Sequence, residues 1–141
     1  EASQETATRA ELGQMLLNSW RQIPGVAKDG HIDRDQLRAW VLYAREACRT
    51  MGRGAVGDHE IGRVLAWAPP GPDEIWPDVP IRDLIEEIAS KDLERGLSTG
   101  RFNTRGVYTK AIGEGGKQER VIGATYARYA TAARKRSTRL P

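Results

Sequence analysis

Cysteine is almost absent from this chain: Cys48 stands alone among 141 residues. No intramolecular disulfide can form, which suits a reducing compartment, and the expected location is cytoplasmic. Histidine is nearly as scarce. Neither His31 nor His59 has a Cys, His or carboxylate at a helical spacing that would close around a metal. Asp58, His59 and Glu60 are consecutive, so on a helix they diverge by about 100° each, and the residue one turn beyond His59 is the cation Arg63. No metal and no cofactor are expected. Long apolar runs are missing too. The longest, around Trp40 to Ala44, is far short of the roughly twenty residues a membrane helix needs, and the polar, acidic N-terminus lacks the order of a signal peptide. No membrane partner is expected.

Catalytic motifs are also lacking. There is no Gly-x-Ser-x-Gly elbow, and Cys48 falls on an apolar helical stripe. The carboxylate pairs Glu86/Glu87 and Asp92/Glu94 lie on polar helix faces, where charged residues are ordinary. The reading is therefore non-enzymatic, with no catalytic residue assigned.

What the chain does have is polarised charge. From Arg95 onward eleven Lys or Arg face only Glu114 and Glu119, whereas residues 1–94 hold eleven cations against seventeen acids; the net +3 conceals this asymmetry. A polyanion or an acidic protein surface is the expected partner.

Nothing alternates with period two over any length, and apolar spacing gives about five amphipathic helices, hence an all-α fold. Residues 1–141 are expected to form one irregular helical bundle. The first helix is read over Thr8 to Ile23, with Thr8 and Glu11 as capping box and Leu12, Met15, Leu16, Trp20 and Ile23 facing inward. The second is read over Asp33 to Met51, capped by Asp33, with an Ile32/Leu37 staple and Leu37, Trp40, Val41, Ala44, Cys48 and Met51 on its stripe. A third starts from Asp58 as cap and ends at Ala68 before Pro69-Pro70-Gly71-Pro72. A fourth, capped by Asp78, buries Ile81, Leu84, Ile85 and Ile88 and either runs to Leu97 or breaks near Ser90. A long Gly-rich basic loop over 100–116 precedes a last helix over Lys117 to Arg136, which carries Ile122, Tyr126 and Tyr129 on one side and Lys117, Arg120 and Arg128 on the other.

Two motifs invite ligands and fail on their own spacing. Asp29, Gly30, Ile32 and Asp33 match the second half of an EF-hand loop, but the early ligand positions are Gly25 and Ala27 and the last is Gln36. An Asp-Gly turn before a capped helix accounts for the same residues. Gly116-Lys117 suggests a phosphate loop, yet Ala111 stands where its first glycine should be and Gln118 follows the lysine. A helix N-terminus with Lys117 and Arg120 in its first turn remains, a place where an anion can sit. The candidate anion or nucleic-acid contacts are accordingly Arg101, Arg105, Lys110, Lys117, Arg120 and Arg128. Trp67, off the apolar stripe, and Trp76, in the proline-rich connector, are candidates for a partner surface; the alternative for Trp76 is that the connector folds back and staples it to the core.

The runs Leu17 to Gly25, Asp29 to Asp33, Val79 to Glu94 and Gly100 to Val107 together resemble a helical region recurring in large, uncharacterised bacterial proteins. The resemblance implies a bacterial origin and a module of a longer chain, and it carries no residue roles. The first residue, Glu1 rather than Met, fits the same expectation of an excised piece. The function expected is contact with another protein or with other domains of its own chain; the alternative is nucleic-acid binding through residues 95–139.

Overall fold

The computed structural model describes residues 2–104 and 116–134 and contains six helices: α1 Ala2–Ser19, α2 Arg34–Thr50, α3 Gly54–Leu65, α4 Val79–Ile88, α5 Lys91–Thr104 and α6 Lys117–Arg134. Among the described residues there is no strand, only an isolated bridge between Val26 and Ile32. The fold is all-α.

Local chemistry explains most of the boundaries. Asp33 caps α2 by accepting from the Asp35 and Gln36 amides, both at 3.0 Å, and Ile32 and Leu37 are buried on either side of it. Ahead of it, Asp29 Oδ1 accepts from the His31 amide and Gly30 takes φ +84°, so the half EF-hand is an Asp-Gly turn whose two carboxylates bind backbone N–H groups. Asp78 accepts from the Val79 amide and starts α4, with Pro80 in the first turn.

Two helices have boundaries that differ from the sequence expectation. Helix α1 begins earlier and ends at Ser19; Thr8 is interior, and its hydroxyl donates to the Gln4 carbonyl one turn back. Helix α3 starts at Gly54, which puts Asp58 inside the helix and buried instead of at its cap. Of the two alternatives for the fourth segment, the break is the one found: Ala89 adopts a left-handed conformation with φ +52°, its amide bonding the Ile85 carbonyl, and α5 begins afresh. Within the expected 100–116 loop, residues 100–104 complete α5, and 105–115 lie outside the described residues.

One buried cluster draws on α2, α3, α4, α5 and the connectors: Leu37, Val41, Ile61, Leu65, Ile81, Ile85, Leu93 and Leu97 are sealed, with Trp40, Ala44, Ile88 and Tyr129 packed at its margin. The expected core members Leu16 and Trp20 are not in it. They are 67% and 43% exposed, because α1 sets only part of its circumference against the rest and Trp20 meets Trp40 edge-on at 5.8 Å.

The tightest contact is between α3 and α5. An added Cβ would lie 1.9 Å from the His59 carbonyl oxygen at Gly96, 2.1 Å from the Leu93 oxygen at Gly62, and 2.6 Å from Ala66 Cβ at Gly100. The two backbones touch along a seam that only glycine permits. Where α2 meets α3, Arg45 grips Asp58 through Nε and Nη2 at 2.7 and 2.9 Å, and Ser90 donates to the same carboxylate at 2.6 Å, tying the α4–α5 turn to both. Arg34–Asp83 and Arg38–Glu87 join α2 to α4 on the surface.

Candidate functional site

The proline-rich connector folds back on the core. Trp76 is 7% exposed, and its indole N–H donates to the Ala68 carbonyl at 2.9 Å, so Trp76 is a staple and not part of an exposed partner surface. Arg82, buried on α4, clasps the same connector by donating to Asp73 at 2.6 Å.

That connector also captures one of the candidate anion contacts. Arg101 stacks over the Trp76 ring at 4.6 Å and donates from Nε to the Tyr126 hydroxyl at 3.1 Å, joining α5, the connector and α6. Its half-buried position makes it a structural tie. Arg128 sits 3.5 Å from Glu74 at the connector's tip and against the Tyr129 ring. Lys117 and Arg120 are exposed at the start of α6, whereas Arg105 and Lys110 lie outside the described residues. The structure thus ties Arg101 and Arg128 to the connector and leaves Lys117 and Arg120 exposed on α6.

Trp67 behaves otherwise. It follows α3 directly, is 41% exposed, and carries the Arg21 guanidinium 5.1 Å above its ring. Two clefts open on either side of this stack. One, of about 190 Å³, lies between the end of α1 and the α3–α5 pair and is walled by Trp20, Arg21, Arg63, Trp67, Asn103 and Thr104. The other, of about 380 Å³, runs beneath the turn after α1 and includes Gln22, Val26, Lys28 and Pro69. Among the described residues neither cleft is lined by a carboxylate, although most of the lining comes from the acidic residues 1–94. Glu60, buried behind Arg63, holds that guanidinium at 3.1 Å.

Chemically, the clefts offer three cationic heads, two indoles and neutral hydrogen-bonding groups. That set can hold carboxylates or phosphates and stack planar groups. The Cys48 thiol is pushed up by burial and then by the nearby Asp58 carboxylate, the opposite of an activated nucleophile. For Asp58, burial raises the carboxyl, but bonds from Arg45 and Ser90 and the charges of Arg45 and Arg49 outweigh it and hold it below the ordinary range. Among the described residues no His, Cys, Asp or Glu cluster could hold a metal ion, and no helix is long and apolar enough to cross a membrane.

Trp67 was legible as a surface residue; Arg21, Lys28, Arg63 and Asn103 were not. Arg21 and Lys28 precede or lie within a turn whose motif is acidic, and in the sequence Arg63 stands out only as the cation one turn beyond His59. A usable signal was present in Gly96-x-x-x-Gly100, whose one-turn spacing marks a helix face that another backbone can approach, bringing Asn103 beside Arg63.

Comparison of the chain with protein-family models, curated proteins and solved structures finds no match.

Proposed function

We propose that this chain is a non-enzymatic binding module that takes an acidic protein segment, from another protein or from another domain of its own chain, across the Arg21–Trp67 clefts. The observation that carries this reading is the cationic lining, Arg21, Lys28 and Arg63, the last of them held from behind by buried Glu60, beside two half-exposed tryptophans. Trp and Arg are the residue types that most often anchor protein interfaces, and a cationic lining steers an acidic partner in.

Tryptophan fluorescence provides the test, with an unstructured peptide of alternating Glu and Leu as probe. The expected outcome is saturable quenching that weakens about tenfold or more in Arg21→Glu or Lys28→Glu. A peptide that fails to bind, or binds the variants equally, removes this reading.

The second reading, nucleic acid, draws on exposed Lys117 and Arg120 at the head of α6. A single-stranded oligonucleotide in the same assay separates the two. We expect binding no tighter than the non-specific range of about 10⁻⁴ to 10⁻⁶ M. A sub-micromolar complex whose log affinity falls by about 0.7 per contacted phosphate with log salt, and which Lys117→Ala with Arg120→Ala abolishes, would transfer the function to α6.

A further inference from the structure

The turn after α1 holds the isolated bridge between Val26 and Ile32. Two bonds close it: the Ala27 amide donates to the His31 carbonyl and the Asp33 amide to the Gly25 carbonyl, both at 2.8 Å. The Ala27 carbonyl then accepts from the Gly30 amide at 2.9 Å and completes a tight turn. In a trans peptide the C=O and the N–H point in opposite directions. Since the Ala27 N–H points inward at His31, the Val26 C=O of the same peptide group points outward. Since the Ala27 C=O points inward at Gly30, the Lys28 N–H points outward as well. Among the described residues neither of these two outward groups has a hydrogen-bond partner, whereas the Val26 amide already donates to the Ile23 carbonyl at 3.4 Å.

The Val26 C=O and the Lys28 N–H thus flank Ala27 on one edge. They match the two bonds that a single residue of a neighbouring parallel strand makes, its N–H donating to the first and its C=O accepting from the second. The cleft of about 380 Å³ lies along this edge, for Val26, Ala27 and Lys28 all line it and His31 and Ile32 of the returning segment do not. The edge is anchored from behind. Ile32 is buried, and a Cβ at Gly25 would stand 3.0 Å from the Asp33 carbonyl oxygen and 3.1 Å from the Leu37 nitrogen, so the turn is pressed against the start of α2. Charge selects the occupant. Arg21 and Lys28 line the cleft and no Asp or Glu among the described residues does; Asp29 and Asp33, the nearest acids in sequence, turn their oxygens to the His31, Asp35 and Gln36 amides.

We propose that the acidic segment binds as an extended strand running parallel to residues 26–28, one of its residues bonded through N–H and C=O to Val26 and Lys28, with its acidic side chains toward Arg21 and Lys28. The partner is therefore an acidic stretch that is unfolded or loop-borne before binding. A helix does not fit, because its own backbone groups are already paired along its length. The proposal rests on the acidic-segment reading above and adds how the partner's backbone is recognised.

Tryptophan quenching by the alternating Glu/Leu peptide tests it, with two further versions of that peptide, one N-methylated at every Glu and the other at every Leu. Alternate residues carry the N–H groups of one strand edge, so one version loses the donor to Val26 and the other keeps it; a one-residue slip restores the bond only by turning the acids away from Arg21 and Lys28. One version should bind at least ~tenfold more weakly than the parent peptide and the other within ~threefold of it. On the protein, Lys28→Ala removes the cation alone, and Lys28→Pro removes the cation and the amide donor. Neither Lys28 nor Asp29 takes a positive φ, and a turn of this kind favours proline at its second position. Lys28→Pro should bind about threefold to tenfold more weakly than Lys28→Ala, the effect of one hydrogen bond. Circular dichroism and the melting temperature report whether each variant keeps the fold, and the peptide series, which leaves the protein untouched, decides alone if one does not. Two methylated peptides that bind like the parent, or that lose affinity equally, overturn the proposal, as does a folded Lys28→Pro that binds as well as Lys28→Ala; in each case the parent peptide still binds and the acidic-segment reading stands. A parent peptide that does not bind removes both.

Discussion

Arg101 holds its guanidinium 4.6 Å from the centre of the Trp76 ring while its Nε reaches the Tyr126 hydroxyl at 3.1 Å. One side chain therefore joins three segments, α5, the connector and α6. Replacing Arg101 by alanine should cost about 1–2 kcal/mol in urea unfolding, the sum of a stacked cation and a charged donor lost to one partner. Tyr126→Phe, which keeps the ring, should cost about half as much. Unchanged unfolding midpoints in both would show that the tie does not hold α6.

Two helical glycines, one in the α3–α5 seam and one outside it, give substitutions of opposite sign. Gly96→Ala places a carbon 1.9 Å from a backbone oxygen and should destabilise by about 2 kcal/mol or more, despite alanine's better helix propensity. Gly13→Ala on α1 meets nothing within 4 Å and should stabilise by about 0.5–1 kcal/mol. Thermal melting of the two proteins side by side reads the contrast directly.

Acid should loosen the α2–α3 contact. Because the folded Asp58 carboxyl titrates below its unfolded counterpart at about 3.9, its contribution is fully present above that value. It is lost as pH falls further, through the folded pKa. Glu87, held down on the surface first by its bond from Arg38, changes in the same direction. Asp58→Ala should therefore lower stability at pH 7 by about 2–3 kcal/mol and flatten the fall of stability with acid, as followed by denaturant midpoints from pH 7 to pH 3.

At Ala89 the chain accepts a left-handed conformation without glycine. Such a residue costs about 1–2 kcal/mol in that region, and glycine's extra unfolded-state freedom recovers part of the difference, so Ala89→Gly should stabilise by about 0.5–1 kcal/mol. Calorimetric melting measures it.

The helical class was legible because apolar spacing and caps agreed: Asp33, Ile32 and Leu37 each named the start of α2 before any contact was known. What the pattern could not distinguish was a stripe that is buried from one that is merely apolar. Leu12, Met15, Leu16 and Trp20 have the same periodicity as Leu37 and Val41, yet they lie in the open. Burial depends on whether another element arrives, and α1's own sequence does not contain that information. Asp58 departs from its expected capping position for a related reason. A capping residue and a buried ion-pair residue have the same side chain, and Arg45, thirteen positions away, decides between them. The cationic clefts were least visible of all, since Arg21, Lys28 and Arg63 converge only after the α3–α5 seam and the turn behind α1 have formed.

The seam bears on how this surface could change over generations. Arg63, Trp67 and Asn103 are carried by or directly follow the two helices whose backbones touch, so one wall of the cleft is fixed by glycines that tolerate no replacement. Leu17, Trp20 and Arg21 form the other wall on α1 and the turn after it, where side chains can be exchanged without entering that seam. Selection for a new partner therefore has an inexpensive route through residues 12–28, and we expect related chains to vary there first while positions 62, 96 and 100 stay glycine.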